Sequence, residues 1–490
     1  MASDGTSAGT AAAPGQHSLR RDVVGLPAST FQGVSHMAPA AGVILGAGFI
    51  ASSAGAAFPL AFGLAGLISL LISFSIYQMA KHLPSAGGYY TYVSRGINPR
   101  LGFLTGWVYF LYDPLIPNLC TITVSTYVAA SIQELFGVPF PWWLYCIVVY
   151  LGLGFITFVG LRPSIRTAIT FTLLEVLITL ALAVTIFGQH GVTGHDLSLG
   201  FSLAGTPKGL SGLAFGLIFT VLSYTGFESS IPLAEETRNP RRSIAWAAVL
   251  SVIIVLAYYL IFGFATVVGW GAENVIKTLP TAAAPYNTLA HSAWGNFGIA
   301  ILTLALMNSG WGCSLAGQNA VIRVLYKMGQ VGVLPSALAR VHPTYRTPYV
   351  ASIAMTLLSL VVLLVLGVLL GPANGFGLLA TVISVGTILV YILGMVSVPI
   401  FYRREHPDEA NLFMTYVFPI VGVLLLIPVL YASVWPPPAF PLNLAPYIDL
   451  LWILIGVALL VYLSRTRPKQ LQAGAETIFT ETGVAEGVPR

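Results

Sequence analysis

Residues 35–42 read Ser-His-Met-Ala-Pro-Ala-Ala-Gly, in the middle of an apolar run over about 29–53. A run of that length can cross a bilayer as a helix, which takes about 20 apolar residues. Pro39 interrupts such a helix at its centre, because it lacks an amide donor and clashes with the turn before it. Gly42 adds backbone freedom. Backbone freed at that depth is tolerated only where protein buries it or where it lines a watery cavity. A second stretch repeats the pattern: Ser223-Tyr224-Thr225-Gly226-Phe227-Glu228, followed by Pro232, lies inside the run 209–232. Taken singly, either break reads equally as a packing kink, since Gly and Pro are common in membrane helices.

The composition places both breaks in a polytopic membrane protein. Of 490 residues, 56% are hydrophobic and 8% charged, against roughly 25% charged in a soluble domain. That excludes a water-soluble enzyme, a disordered chain and a basic nucleic-acid-binding domain, and three cysteines exclude a disulfide-stapled secreted fold. Apolar runs fall near 29–53, 56–80, 101–131, 141–160, 164–187, 209–232, 243–270, 288–327, 348–370, 374–402, 412–433 and 446–464. We number these spans 1 to 12. Residues 1–25 and 466–490 are polar and read as flexible tails. With the N-terminus inside, almost every Lys and Arg from Arg20 to Lys469 falls on one side, and Lys208 and Lys277 alone fall on the other. By the positive-inside rule, both termini are cytoplasmic, in an inner or plasma membrane.

The broken spans are the first and the sixth. They open two five-helix units, about 29–187 and 209–402, with an added pair over 412–464. That is the plan of inverted-repeat transporters, in which half-helix ends offer amides and carbonyls to a substrate. Three acids, Asp113, Glu175 and Glu228, fall within spans, and no Lys or Arg lies comparably deep. A charge at the bilayer centre costs roughly 2.5–3.5 kcal/mol on insertion scales. Such groups therefore face a cavity, find a partner or hold a proton.

Several motifs resemble one family. Leu83-Pro84-Ser85-Ala86-Gly87-Gly88-Tyr89-Tyr90-Thr91-Tyr92 is similar to a signature of the amino acid–polyamine–organocation superfamily. Gly226-Phe227-Glu228-Ser229-Ser230, continuing to Glu235-Glu236-Thr237-Arg238-Asn239-Pro240-Arg241-Arg242, resembles its span 6 and following loop. Arg323-Val324-Leu325-Tyr326, Gly332-Val333-Leu334-Pro335 and His342-Pro343-Thr344-Tyr345-Arg346-Thr347-Pro348 resemble its loop after span 8. Together the matches cover roughly 30–402. The resemblance implies an all-α membrane protein of 12 transmembrane helices, a LeuT-type 5+5 inverted repeat plus two C-terminal helices. It also implies secondary transport, with substrate held between the unwound parts of spans 1 and 6. Carried onto this chain, the binding backbone is Ala38, Ala40, Ala41 and Gly42 with Ser223, Tyr224, Thr225 and Gly226. Span 1 has Ala-Pro-Ala-Ala where the family has a glycine-rich break, which admits decarboxylated amines beside amino acids.

The remaining assignments keep two readings each. Glu228 couples substrate to proton, as the resemblance implies, or caps the amides freed at the span 6 break. Glu175 is a protonatable group facing spans 1 and 8, where relatives carry a lysine, or a neutral acid bonded across helices. Asp113 meets the cationic end of a substrate or caps the helix restarted by Pro114. His36 titrates near the break or packs against it. Tyr109, Tyr112, Tyr224 and Phe227 wall the site, since aromatic faces attract cations, or pack as any membrane aromatic does. Ser309 and Ser314 are candidate sodium ligands or packing hydroxyls. Glu235 and Glu236 with Arg238, Arg241 and Arg242 form a cytoplasmic gate or a loop network. Cys120, Cys146 and Cys313 lack metal-type spacing, and no hydrolase or phosphate-binding motif is present. No catalytic residue, cofactor or metal is therefore expected.

The expected function is uptake of an amino acid or biogenic amine with a proton, rather than sodium, as the coupling ion. An exchanger, a non-transporting sensor and a membrane-embedded enzyme are the alternatives. The small-molecule substrate and the lipid bilayer are the partners, with no nucleic acid. The sequence sets no oligomeric state.

Overall fold

Every apolar run becomes helical, because hydrocarbon offers no hydrogen bonds and the backbone must satisfy its own. A computed structural model describes residues 24–466 except 86, 283, 331 and 333. Both tails lie almost wholly outside the described residues, as do the side chains of Arg162, Glu235 and Lys327. Among the described residues there is no strand, only an isolated bridge between Val24 and Thr237. Eleven helical stretches are long and apolar enough to cross a bilayer. The first expected crossing is divided into Leu26–Met37, Pro39–Ile44 and Ala47–Ala54, and it passes through a short turn into span 2, Phe58–Ala80.

Span 3 is also divided, into Pro99–Tyr112 and Leu115–Phe136, because Pro114 follows Asp113. Spans 4 and 5 are Trp142–Val159 and Leu161–His190. Span 6 runs over Gly209–Tyr224 and resumes as a 3-10 helix, Phe227–Glu236. Spans 7 to 10 lie in Pro240–Trp270, Pro285–Gln330, Tyr349–Leu370 and Pro372–Glu405. Spans 11 and 12 are Leu412–Val434 and Leu442–Thr466. Span 10 buries 83% of its most apolar window, whereas spans 9 and 12 bury 22% and span 11 buries 28%. Span 10 is therefore central, and spans 9, 11 and 12 are peripheral.

The loops that carry most of the cations meet at one end, which we call the basic end. Val24 donates to the Glu236 carbonyl (3.2 Å) and accepts from the Arg238 amide (2.7 Å), tying the chain start to the loop after span 6. Arg95 pairs with Glu405 at 2.8 Å and Lys81 with Glu409 at 3.3 Å, joining the regions after spans 2 and 10. Glu236 pairs with Arg323 of span 8, at 3.0 Å, and the two side chains are only 3% and 4% exposed. Below Lys81, His82 stacks on His406 with ring centroids 4.0 Å apart and lies 3.4 Å from Glu409. Burial first, then His406, Lys81 and Arg241, push the His82 pKa down from 6.5 to about 4, with Glu409 opposing.

Two outcomes follow from this end of the bundle. Removing one member of a buried ion pair strands the other and costs about 3–5 kcal/mol, whereas replacing both with apolar groups is near neutral. Glu236→Ala should therefore lower the melting temperature in detergent sharply, and the double variant Glu236→Leu/Arg323→Met should recover most of it. An equally unstable double variant would mean that packing, not charge, holds this end. His82 has its folded pKa below its unfolded one, so its contribution is complete above pH 6.5 and lost as pH falls toward 4. The wild-type melting temperature should drop more steeply over that window than that of His82→Phe. Parallel curves would rule this out.

Candidate substrate and coupling site

At the span 1 break Ala38 takes φ 48°, ψ 70°, a left-handed conformation costing an L-residue roughly 1–2 kcal/mol. Its amide closes the first half-helix on the Ser35 carbonyl at 3.1 Å. Pro39 opens the next piece, where a missing donor carries no penalty. Gly42 is not the unwound residue that the sequence suggested; it lies inside the helix Pro39–Ile44. Glycine is required there for a different reason: the Tyr259 hydroxyl occupies the space a Cβ would fill. In span 6, Thr225 is extended and Gly226 takes φ 117°. A Cβ on Gly226 would stand 2.7 Å from Cγ of His36, so the two breaks are packed directly on each other.

The freed backbone groups are taken up mainly by side chains. The Tyr259 hydroxyl of span 7 lies 2.7 Å from the Ser223 carbonyl and 3.1 Å from that of Met37, bridging both broken spans. Ser223 Oγ reaches the Gly42 carbonyl at 2.9 Å. The thiol of Cys313 donates to the His36 carbonyl at 3.1 Å. The Ala41 amide donates to Ser309 Oγ at 3.0 Å. Glu175 reaches across from span 5 to the Ala40 amide and the Ser309 hydroxyl. The amides that would open the second half of span 1 to a ligand are thus engaged by the chain itself. Ser314 serves packing, sharing a hydrogen bond with Thr121 at 3.1 Å.

A central cavity of about 520 Å³ lies between the breaks. Its backbone wall is Ala38, Ala41, Gly42, Ser223 and Thr225, with His36 beside them, and its apolar wall includes Ile116, Leu119, Phe219 and Phe376. No Asp, Glu, Lys or Arg lines it. A second cavity, of about 620 Å³, lies toward the basic end and is lined by Glu228, Tyr109 and residues 87–90, among others.

The acids lie around these spaces. Glu228 Oε2 accepts from the Gly226 amide at 3.1 Å, so it does cap the break. Its Oε1 accepts from Tyr391 at 2.8 Å and lies 3.5 Å from Tyr112, which fixes the carboxyl between spans 3, 6 and 10. Asp113 does not cap the restarted helix, which has no side-chain cap. It is fully buried, with its carboxyl against the Tyr109 hydroxyl and near enough to Glu228 for their charges to interact. Oε2 of Glu175 is without a partner. Among the described residues no cation pairs with any of the three. Both His36 nitrogens are buried without partners, with Nε2 turned toward Gly317.

Five of the expected backbone residues therefore reach the central cavity. Ala40, Tyr224, Gly226 and Phe227 stand behind its wall. Tyr224 donates to the Phe62 carbonyl at 3.0 Å, and Phe227 packs on Tyr391. Tyr109 faces the basic-end cavity instead. Tyr259, Tyr391, Cys313 and Phe376 carry no sequence signal beyond being polar-tipped or aromatic residues in apolar runs.

The amino acid permease family matches residues 29–472 of the chain. The chain is 23% identical to the branched-chain amino acid permease BcaP of Bacillus subtilis (strain 168), over 94% of its own length and 96% of that protein. It is 27% identical to the low-affinity putrescine importer PlaP of Escherichia coli (strain K12), over 59% and 63%. It is 23% identical to the gamma-aminobutyric acid permease of Bacillus subtilis (strain 168), over 90% and 93%.

Tyr259→Phe removes the donor shared by two buried carbonyls, each loss worth about 1–3 kcal/mol. It should lower the melting temperature, and Gly42→Ala, which displaces the same hydroxyl, should do so by a similar amount. Combining them should add little to either. Full additivity in thermal unfolding would disprove the shared mechanism.

Proposed function

The chain belongs to the amino acid permease family and is a membrane transporter of amino acids or amines rather than an enzyme, and we propose that it carries its substrate inward with a proton. The basic end is cytoplasmic in this reading, by the asymmetry of its Lys and Arg residues. Substrate enters the central cavity from the opposite end, and its apolar part lies against Phe219, Phe376, Ile116 and Leu119. Freed backbone of spans 1 and 6 orients its polar end.

The observation that carries the coupling is a buried pair of carboxyls with no cation. Asp113 has Tyr109 as its neighbour and, among the described residues, no cation, and Glu228 is held by two tyrosines and an amide. Two like charges at that depth are too costly to coexist unrelieved. One relief is a proton; the other is the ammonium of the substrate. If Glu228 holds the proton while Asp113 takes the ammonium, both ligands are needed for the loaded state, and they move together. Glu175 is a second proton carrier, seated against span 1 where a moving helix meets the scaffold. His36, with both nitrogens unpartnered, is the group through which the central cavity communicates with the break.

The engaged amides of Ala40 and Ala41 favour an amine over an amino acid, because a substrate carboxylate would have to displace Glu175 or Ser309. A putrescine importer and amino acid permeases are both among the relatives.

Purified chain in proteoliposomes should accumulate radiolabelled 2-phenylethylamine when an inward proton gradient is imposed, and should accumulate phenylalanine at least tenfold less well. Glu228→Gln should abolish gradient-driven accumulation while leaving exchange of internal for external substrate. Asp113→Asn should lose both. Accumulation at the wild-type level in Glu228→Gln would remove that residue from coupling. Exchange without any gradient-driven accumulation in the wild type would make the protein an exchanger.

A further inference from the structure

The cavity toward the basic end is separate from the central one and has the features of a binding site in its own right. It encloses about 620 Å³. Its lining is apolar and aromatic, with Phe103, Val324 and Met328 on spans 3 and 8. A single ionisable acid, Glu228, stands in its wall. Tyr89 and Tyr109 also line it, and the Tyr89 hydroxyl is buried without a hydrogen-bond partner, while that of Tyr109 is shared with Asp113. Buried polar groups are normally bonded, and each exception calls for a reason. Here an orphaned hydroxyl and a carboxyl border one apolar hollow, and Tyr112 links that carboxyl to span 3.

We infer that this cavity is a second binding station for an organic ammonium with an apolar body. The ammonium sits against Glu228 and donates to the free hydroxyl oxygen of Tyr89, with the rings of Tyr89 and Tyr109 adding cation–π attraction. The apolar body lies against Phe103, Val324 and Met328. A carboxylate on the ligand is disfavoured, since among the described residues no Lys, Arg or His lines the cavity. Glu228 thereby faces two ligand positions, one on each side of the Tyr112–Glu228–Tyr391 cluster. The inference shares with the proposed function the premise of a cationic substrate, but it concerns binding stoichiometry rather than flux.

Saturation binding of radiolabelled 2-phenylethylamine to the full chain in detergent tests it. Two molecules per chain are expected in the wild type. Val324→Trp and Met328→Trp each fill the basic-end cavity and should leave one. Ala41→Trp fills the central cavity and should also leave one, and its combination with Val324→Trp should leave none. The residual site in each single variant reports that the protein is folded. Glu228→Gln should weaken the basic-end station at least tenfold, read in the Ala41→Trp background. One molecule per chain in the wild type, or two in both Val324→Trp and Met328→Trp, overturns the second station. If proton-driven accumulation persists in that case, the transport reading stands and only this inference falls.

Discussion

One constraint governs the centre of this molecule: peptide groups released in mid-bilayer must find partners inside the protein. Each unsatisfied group there costs several kcal/mol, more than a fair share of the total stability of a domain. Spans 1 and 6 both release such groups, and span 7 supplies the donor that joins them, through Tyr259. Ser223 adds a second tie from span 6 to span 1 at Gly42. Spans 1, 6 and 7 are therefore joined by bonds that cannot open without exposing carbonyls. Span 1 is tied in the same way to spans 5 and 8, through Glu175, Ser309 and Cys313.

Electrostatics draws a boundary of its own. At the basic end, Glu236 has a full partner in Arg323, and the pair joins span 6 to span 8. In the centre, Asp113, Glu175 and Glu228 have hydroxyl and amide neighbours but no cation. A paired acid is a structural tie, costly to break. An unpaired acid is a site whose energy depends on what arrives, be it a proton or an ammonium. The two kinds of acid lie in different layers of one bundle.

Much of this was legible in the sequence because the signals are local. Pro39 and Pro114 mark the breaks in spans 1 and 3, although Pro399 and Pro428 lie inside continuous helices, and hydrophobic length sets the spans to within a few residues. Acids at mid-span announce themselves by their cost. What was not legible depends on contacts distant in sequence. Gly42 reads as a flexible hinge, yet the hinge is Ala38, and Gly42 is small because a tyrosine more than two hundred residues away approaches it. Asp113 before Pro114 reads as a helix cap, yet its carboxylate turns away from the amides. Glu236 reads as part of a charged loop, yet it crosses to span 8. In each case the residue type was informative and its partner was not, since nothing in a linear pattern says which faces of two helices meet.

Glu175 occupies backbone that a substrate could otherwise reach. The second piece of span 1 presents few amides, and Pro39 removes the first of them. Of the remainder, Ala40 meets Glu175, Ala41 meets Ser309, and Gly42 bonds to the Ala38 carbonyl at 2.7 Å. A carboxylate arriving with a substrate finds the positive end of this short helix already neutralised by a carboxyl of the protein. An ammonium finds the opposite: uncharged walls, carbonyl oxygens with spare lone pairs, and acids one layer below. The amine preference proposed above rests on which ends of the broken helix the protein has already used, since among the described residues no charged residue lines the cavity itself.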